Sequence, residues 1–179
     1  MLRPVASAGA RGLLGAALGI TPDDPSYAGL RDAFLAHYED KLCEHTVLFP
    51  GIADVIAAIA ARGLAWGIVT NKVEGLAKPL VAQLPLPVAP GVVVGGDTTG
   101  RAKPDPLPLL YAAQQIGVAP ERCLYVGDDR RDIDAGRAAG MATVAAGWGY
   151  CGATEPHDWR ADHLTFSPLE LLQLPGLRA

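Results

Sequence analysis

The sequence is poor in the residues on which several kinds of function depend. Cysteine occurs three times in 179 residues, at Cys43, Cys123 and Cys151. The number is odd, the positions are scattered and no Cys-x-x-Cys pair occurs, so neither a disulfide framework nor a zinc site is supported. Such usage fits a reducing compartment, and a cytoplasmic location is expected. Serine is as scarce: Ser7, Ser26 and Ser167 are the full set. None sits in a Gly-x-Ser-x-Gly elbow, which disfavours a serine hydrolase. Basic charge is low as well. Fifteen Lys and Arg against nineteen Asp and Glu give −4, without the basic stripe of a nucleic-acid binder. There is no run of 18 apolar residues, so no transmembrane helix and no membrane partner are expected. The apolar stretch 12–20, preceded by Arg3, imitates a signal-peptide core. Arg11 borders it, however, and Thr21-Pro22-Asp23-Asp24 follows, so it reads as a short buried helix.

What the chain does have is core-forming material. Half of its residues are hydrophobic and 19% are charged, enough for one domain with a small accessory lobe. Residues 1–48 read as helix and loop only. Asp24 is placed to cap a helix with Pro25 in its first turn, and Leu30, Phe34, Tyr38 and Leu42 repeat along one face. From Pro50 onward the pattern alternates. Helices are expected at 52–62, 73–83, 106–117 and 130–139, strands at 64–69, 92–94, 123–126, 142–145 and 163–166, and a last helix at 168–174. Short apolar strands between amphipathic helices mean an α/β fold, a doubly wound parallel sheet covered on both faces.

In such a sheet ligands gather at the carboxyl ends of the strands. The first strand is followed by Thr70-Asn71-Lys72. The second is followed by Gly95-Gly96-Asp97 and then Lys103-Pro104-Asp105-Pro106. The third is followed by Gly127-Asp128-Asp129-Arg130-Arg131-Asp132. A hydroxyl, a lysine and a carboxylate cluster thus converge on one edge. Asp128 and Asp132, four apart across a strand-to-helix turn, can face one cavity, where they repel unless a cation lies between them. Hard oxygen ligands suit Mg²⁺ shared between protein and phosphate. Gly147-Trp148-Gly149-Tyr150-Cys151-Gly152 fits Gly-x-Gly-x-x-Gly, but loop rather than helix is expected after it, so it is no dinucleotide fingerprint. Trp66 and Tyr125, inside strands, read as core.

Val69-Thr70-Asn71-Lys72, Lys103-Pro104-Asp105-Pro106 and Val126-Gly127-Asp128-Asp129-Arg130-Arg131-Asp132-Ile133 resemble, in order and spacing, the second, third and fourth motifs of the haloacid-dehalogenase-like phosphohydrolases. The likeness extends along the chain and is strongest to the phosphoglycolate-phosphatase branch, which includes bacterial N-acetylmuramic acid 6-phosphate phosphatases. It implies a Rossmann-like core over 49–179 with a partial helical cap over 1–48. It also implies a Mg²⁺-dependent phosphate-monoester hydrolase acting on a small phosphorylated metabolite. Under it Thr70 holds a phosphate oxygen, helped by the N–H of Asn71, and Lys103 neutralises the phosphoryl charge. Asp128 ligates Mg²⁺, with Asp132 a further ligand or a partner behind it. Ser7, Gly9 and Arg11 fall where the cap presents polar groups to substrate.

One part of the family pattern is absent from these 179 residues. Its first motif, an Asp-x-Asp after an apolar strand, supplies the attacking carboxylate and the general acid and base. The only Asp-x-Asp here is Asp132-Ile133-Asp134, inside an expected helix. The chain reads as though it begins within the cap, so it is expected to hydrolyse nothing by itself. It is also expected to expose sheet edges through which copies pair as a homo-oligomer. Two other readings stand beside this one: a non-catalytic relic that binds a phosphorylated metabolite or a partner protein, and a receiver-like phosphoacceptor. The second is disfavoured because its acidic pair would precede the Thr and Lys.

Overall fold

The run Ala142–Ala146 sends alternate side chains to two covered faces and forms the middle strand of a parallel sheet. In the computed structural model, which describes residues 2, 5, 8–152 and 154–177, the helices are α1 (Gly9–Leu18), α2 (Tyr27–Asp40), α3 (Ile52–Ala61), α4 (Glu74–Gln83), α5 (Leu107–Gln115) and α6 (Arg130–Ala138). The strands are β1 (Ile68–Val69), β2 (Val93–Val94), β3 (Leu124–Gly127), β4 (Ala142–Ala146) and β5 (His163–Thr165). Among the described residues the sheet has two parts, β1-β2 and β3-β4-β5, all pairs parallel.

Both faces are covered. α3 and a 3-10 segment, Pro168–Gln173, pack on one, where Val55, Val144 and Leu171 are buried with Leu124 and Val126 against them. α5 and α6 pack on the other, burying Leu109, Ala113, Ala135 and Met141 against Val69, Cys123 and Tyr125. Ile133 and Ala145 continue this face to Trp159. Gly117 and Gly140, each past the end of a helix at φ +69° and +75°, turn the chain back toward the next strand. Gly136 on α6 has no room for a Cβ, which would come within 2.7 Å of Thr143 Cγ2, so helix and strand are in direct contact there.

The fold class is the one expected, with differences in detail. The strand expected over 64–69 is confined to Ile68–Val69. Among the described residues its ladder runs to β2 alone, through Ile68 N–Val92 O and Thr70 N–Val94 O at 2.9 Å each, and no strand pairs with its other side. Asp24 does not cap α2. Its Oδ1 accepts from Ser26 N and Ser26 Oγ at 2.9 and 2.6 Å in a tight turn, and the helix starts at Tyr27. The apolar segment at 12–20 is helical within α1, but only Leu14 of α1 is buried and Leu18 is 55% exposed. The C-terminal helix is a 3-10 segment whose start is capped by Ser167. No helix of the described residues is long and apolar enough to cross a membrane.

β4 is tied to the loop before β5 by a polar clasp. Asp162 Oδ2 accepts from Thr143 N and Thr143 Oγ1, both at 2.8 Å, and the Thr143 hydroxyl lowers the Asp162 carboxyl below its ordinary value, helped by the Thr143 N–H. A lowered folded value gives stability that is full above the unfolded value near 4 and is lost as pH falls toward the folded one. Thr143→Val is therefore expected to destabilise the protein more at pH 6 than at pH 3. Urea midpoints at the two values measure this, and an equal loss at both contradicts the clasp.

Candidate active site

The expected edge lies at the ends of β1 and β3, which side chains link. Lys103 reaches into it from the loop after β2. Its Nζ donates to the carbonyl of Val69, the last residue of β1, at 2.8 Å, and to Tyr125 Oη of β3 at 2.9 Å. The same ammonium lies 2.7 Å from Asp132 Oδ1 of α6. Lys103 and Asp132 have side chains only 10% and 8% exposed, so this is a buried ion pair. Tyr125 in turn donates toward Val69 O at 3.2 Å. Burial foremost, and then Asp132 and Asp128, push its phenol well above the ordinary value, so it stays a neutral hydroxyl.

Local hydrogen bonds set each side chain. Asn71 clasps the Lys103 backbone: its Nδ2 donates to Lys103 O and its Oδ1 accepts from Lys103 N, both at 2.9 Å. That holds the two loops in register. Thr70 Oγ1 accepts from Lys72 N at 3.1 Å, which leaves the hydroxyl hydrogen free of any acceptor among the described residues. The Asn71 N–H likewise has no backbone acceptor among them. After β3, Asp129 caps α6 and accepts from Arg131 N at 2.9 Å, and Asp132 Oδ2 accepts from Asp129 N at 3.1 Å. A Cβ on Gly127 would fall 2.2 Å from Asp132 Cβ; only glycine lets the Asp132 side chain fold back over the strand end.

The three carboxylates are thus allotted different partners. Asp129 pairs with the Arg131 guanidinium, whose hydrogen bonds hold its carboxyl below the usual range. Asp132 pairs with Lys103. Asp128 Oδ2 accepts from Tyr150 N at 2.8 Å, and Gly149 has no room for a Cβ because Asp128 lies against it. The cations beside the cluster are therefore Lys103 and Arg131, both from the chain itself. Carboxylate oxygens are donors of the kind Mg²⁺ takes, and Asp128 Oδ1 is the oxygen of the cluster without a protein partner among the described residues. The fit is one of kind: the described residues hold no group of three or more His, Cys, Asp or Glu arranged for a metal.

The structure brings Thr70, Asn71, Lys103, Asp128 and Asp132 to one edge. Gly9 and Arg11 are exposed on α1, and among the described residues no hydrogen bond or ion pair joins them to that edge. Ser7 lies outside the described residues. Tyr125, expected as core packing, is part of the site through its hydroxyl; a buried Tyr needs a polar partner, and that was the available signal. Asp134 of Asp132-Ile133-Asp134 points away, half-exposed and 3.6 Å from Arg130.

Comparison with known proteins gives the family. Residues 3–140 match the haloacid dehalogenase-like hydrolases, and the chain belongs to that family. It is 46% identical over 171 residues to a phosphoglycolate phosphatase of Xanthomonas campestris pv. campestris, covering 95% of this chain and 77% of that protein. It is 40% identical over 174 residues to an N-acetylmuramic acid 6-phosphate phosphatase of Pseudomonas aeruginosa, covering 97% and 77%. The fold is shared with the crystal structure of a predicted phosphoglycolate phosphatase from Haemophilus somnus 129pt, with TM-score 0.81 at 24% identity over 93% of this chain and 74% of that one.

Removing the charge of Lys103 strands the Asp132 carboxylate in a buried place. Lys103→Met is expected to cost about 3–5 kcal/mol, and the double change Lys103→Met, Asp132→Leu to recover part of it. Urea unfolding of the three proteins measures both. A loss below about 1 kcal/mol for Lys103→Met, the size of a surface pair, contradicts the buried ion pair.

Proposed function

We propose that the β1–β3 edge binds the phosphoryl group of a small metabolite for hydrolysis of the phosphate monoester, as in the phosphoglycolate phosphatases. The observation that carries this is Lys103 Nζ at the end of β1, one residue from Thr70, whose hydroxyl hydrogen has no acceptor among the described residues. Phosphoryl transfer needs charge neutralisation and positioning more than acid–base power. Thr70 Oγ1 and the Asn71 N–H donate to phosphoryl oxygens. Lys103 has its three N–H groups taken by Val69, Tyr125 and Asp132, so it acts by field rather than by a free donor. Asp132 is a positioning residue that holds this ammonium in place. Asp128 would hold Mg²⁺, whose chemistry there is to draw charge from the phosphoryl oxygens.

Residues 1–48 act as part of a cap over this edge, and the expected ligand is a phosphoglycolate or sugar-phosphate ester met in the cytoplasm. Of the carboxylates that follow β3, Asp129 and Asp132 are held by Arg131 and Lys103 and Asp128 is the proposed Mg²⁺ ligand, so this chain is expected to bind and position without rapid turnover.

Calorimetry with MgCl₂ is expected to show weak binding that Asp128→Asn abolishes. The 179-residue chain is expected to leave phosphoglycolate and an aryl phosphate intact. A version carrying the family's apolar strand and Asp-x-Asp on its N-terminal side is expected to hydrolyse them with Mg²⁺. Rapid Mg²⁺-dependent turnover by the 179 residues, lost in Asp128→Ala, contradicts the missing-nucleophile account. Inactivity of the longer version favours a binding relic instead.

A further inference from the structure

Two residues beyond Thr70 the chain places a cation that no carboxylate answers. The backbone of Lys72 is fixed on both sides: its N–H donates to Thr70 Oγ1 at 3.1 Å and its carbonyl accepts from Gly96 N at 2.8 Å. Its ammonium is fixed by α2. Nζ donates to Tyr38 Oη at 2.9 Å and stands 4.2 Å from the centre of the Tyr38 ring. Phe34 stacks on that ring at 6.3 Å and 11°, so the phenol is held in turn. Lys41, Lys78 and Lys103 each pair with a carboxylate; Lys72, the fourth lysine, pairs with none among the described residues.

An ammonium has three N–H donors, and Tyr38 uses one of them. Lys72 is half-buried, where an uncompensated charge is unfavourable until an anion arrives. It also lies between helix α2 and the phosphoryl-holding turn, the place where the remainder of a short substrate would extend. We infer that Lys72, oriented by Tyr38, recognises a carboxylate on the substrate, so that the preferred ligands are phosphate monoesters of carboxylic acids. This rests on the phosphoryl-binding reading of Thr70 and Lys103. The compounds for which the Xanthomonas and Pseudomonas relatives are named each contain a carboxylate as well as a phosphate ester. The same chemistry covers a short acid and a sugar acid, and their carboxylates lie at different distances from phosphorus.

The test is binding of matched pairs to the 179-residue chain by calorimetry with MgCl₂ present. One pair is phosphoglycolate with 2-hydroxyethyl phosphate; the other is N-acetylmuramic acid 6-phosphate with N-acetylglucosamine 6-phosphate. The acid of at least one pair is expected to bind about tenfold or more tighter than its carboxylate-free partner, and the pair that shows the preference identifies the short acid or the sugar acid. That preference should fall toward one in Lys72→Met and Lys72→Gln, persist in Lys72→Arg, and shrink in Tyr38→Phe. Wild-type preference of one in both pairs overturns the inference while leaving phosphoryl binding intact. So does a preference unchanged in both Lys72→Met and Lys72→Gln. Failure of the wild-type chain to bind any of the four ligands or inorganic phosphate overturns the phosphoryl site, and this inference with it.

Discussion

One ammonium group touches both halves of this sheet. Among the described residues β1-β2 and β3-β4-β5 share no ladder hydrogen bonds, yet Lys103 Nζ touches the end of β1 at Val69 O, the side chain of β3 at Tyr125 Oη and the first turn of α6 at Asp132. Neighbouring parallel strands normally lie about 4.8 Å apart, joined by backbone hydrogen bonds. Here side chains span the seam instead, and they are polar because an edge carbonyl left in a protein interior needs a donor. The consequence for function is direct. The group that bridges the seam is also the positive charge that the proposed phosphoryl site uses.

Around that charge the chain spends glycines to bring backbone and side chains unusually close. Gly127 admits Asp132, Gly149 admits Asp128, and Gly96 passes so near Asn71 that a Cβ would lie 2.4 Å from its carbonyl oxygen. Arg131 and Lys103 pair with two of the three carboxylates, and Asp128 has no cationic partner within ion-pair distance among the described residues. Preorganisation of this kind is what an electrostatic site requires, since its groups must be aimed before the ligand arrives.

Much of this was legible in the sequence, and the exceptions share one cause. Alternating apolar runs and amphipathic helices define a covered parallel sheet, and chemistry-bearing residues directly after strands locate its edge, so Thr70, Lys103 and Asp128 could be found together. The length of β1 could not, because residues 64–67 look as strand-like as Ile68 and the lack of a second partner strand is not local information. Asp24 reads as a helix cap until Ser26, two residues on, takes its oxygen. Tyr125 and Tyr38 both read as apolar-face residues; their partners, Lys103 and Lys72, lie 22 and 34 residues away in sequence. Pairings of that span depend on the finished fold.

The most direct measurement of the central claim is a crystal structure of the protein soaked with tungstate, a tetrahedral dianion that imitates phosphate. The account predicts the anion at the carboxyl ends of β1 and β3, accepting from Thr70 Oγ1 and the Asn71 N–H and within about 4 Å of Lys103 Nζ, an ion-pair distance. Tungstate bound elsewhere, with the Thr70–Lys103 edge empty, would contradict it.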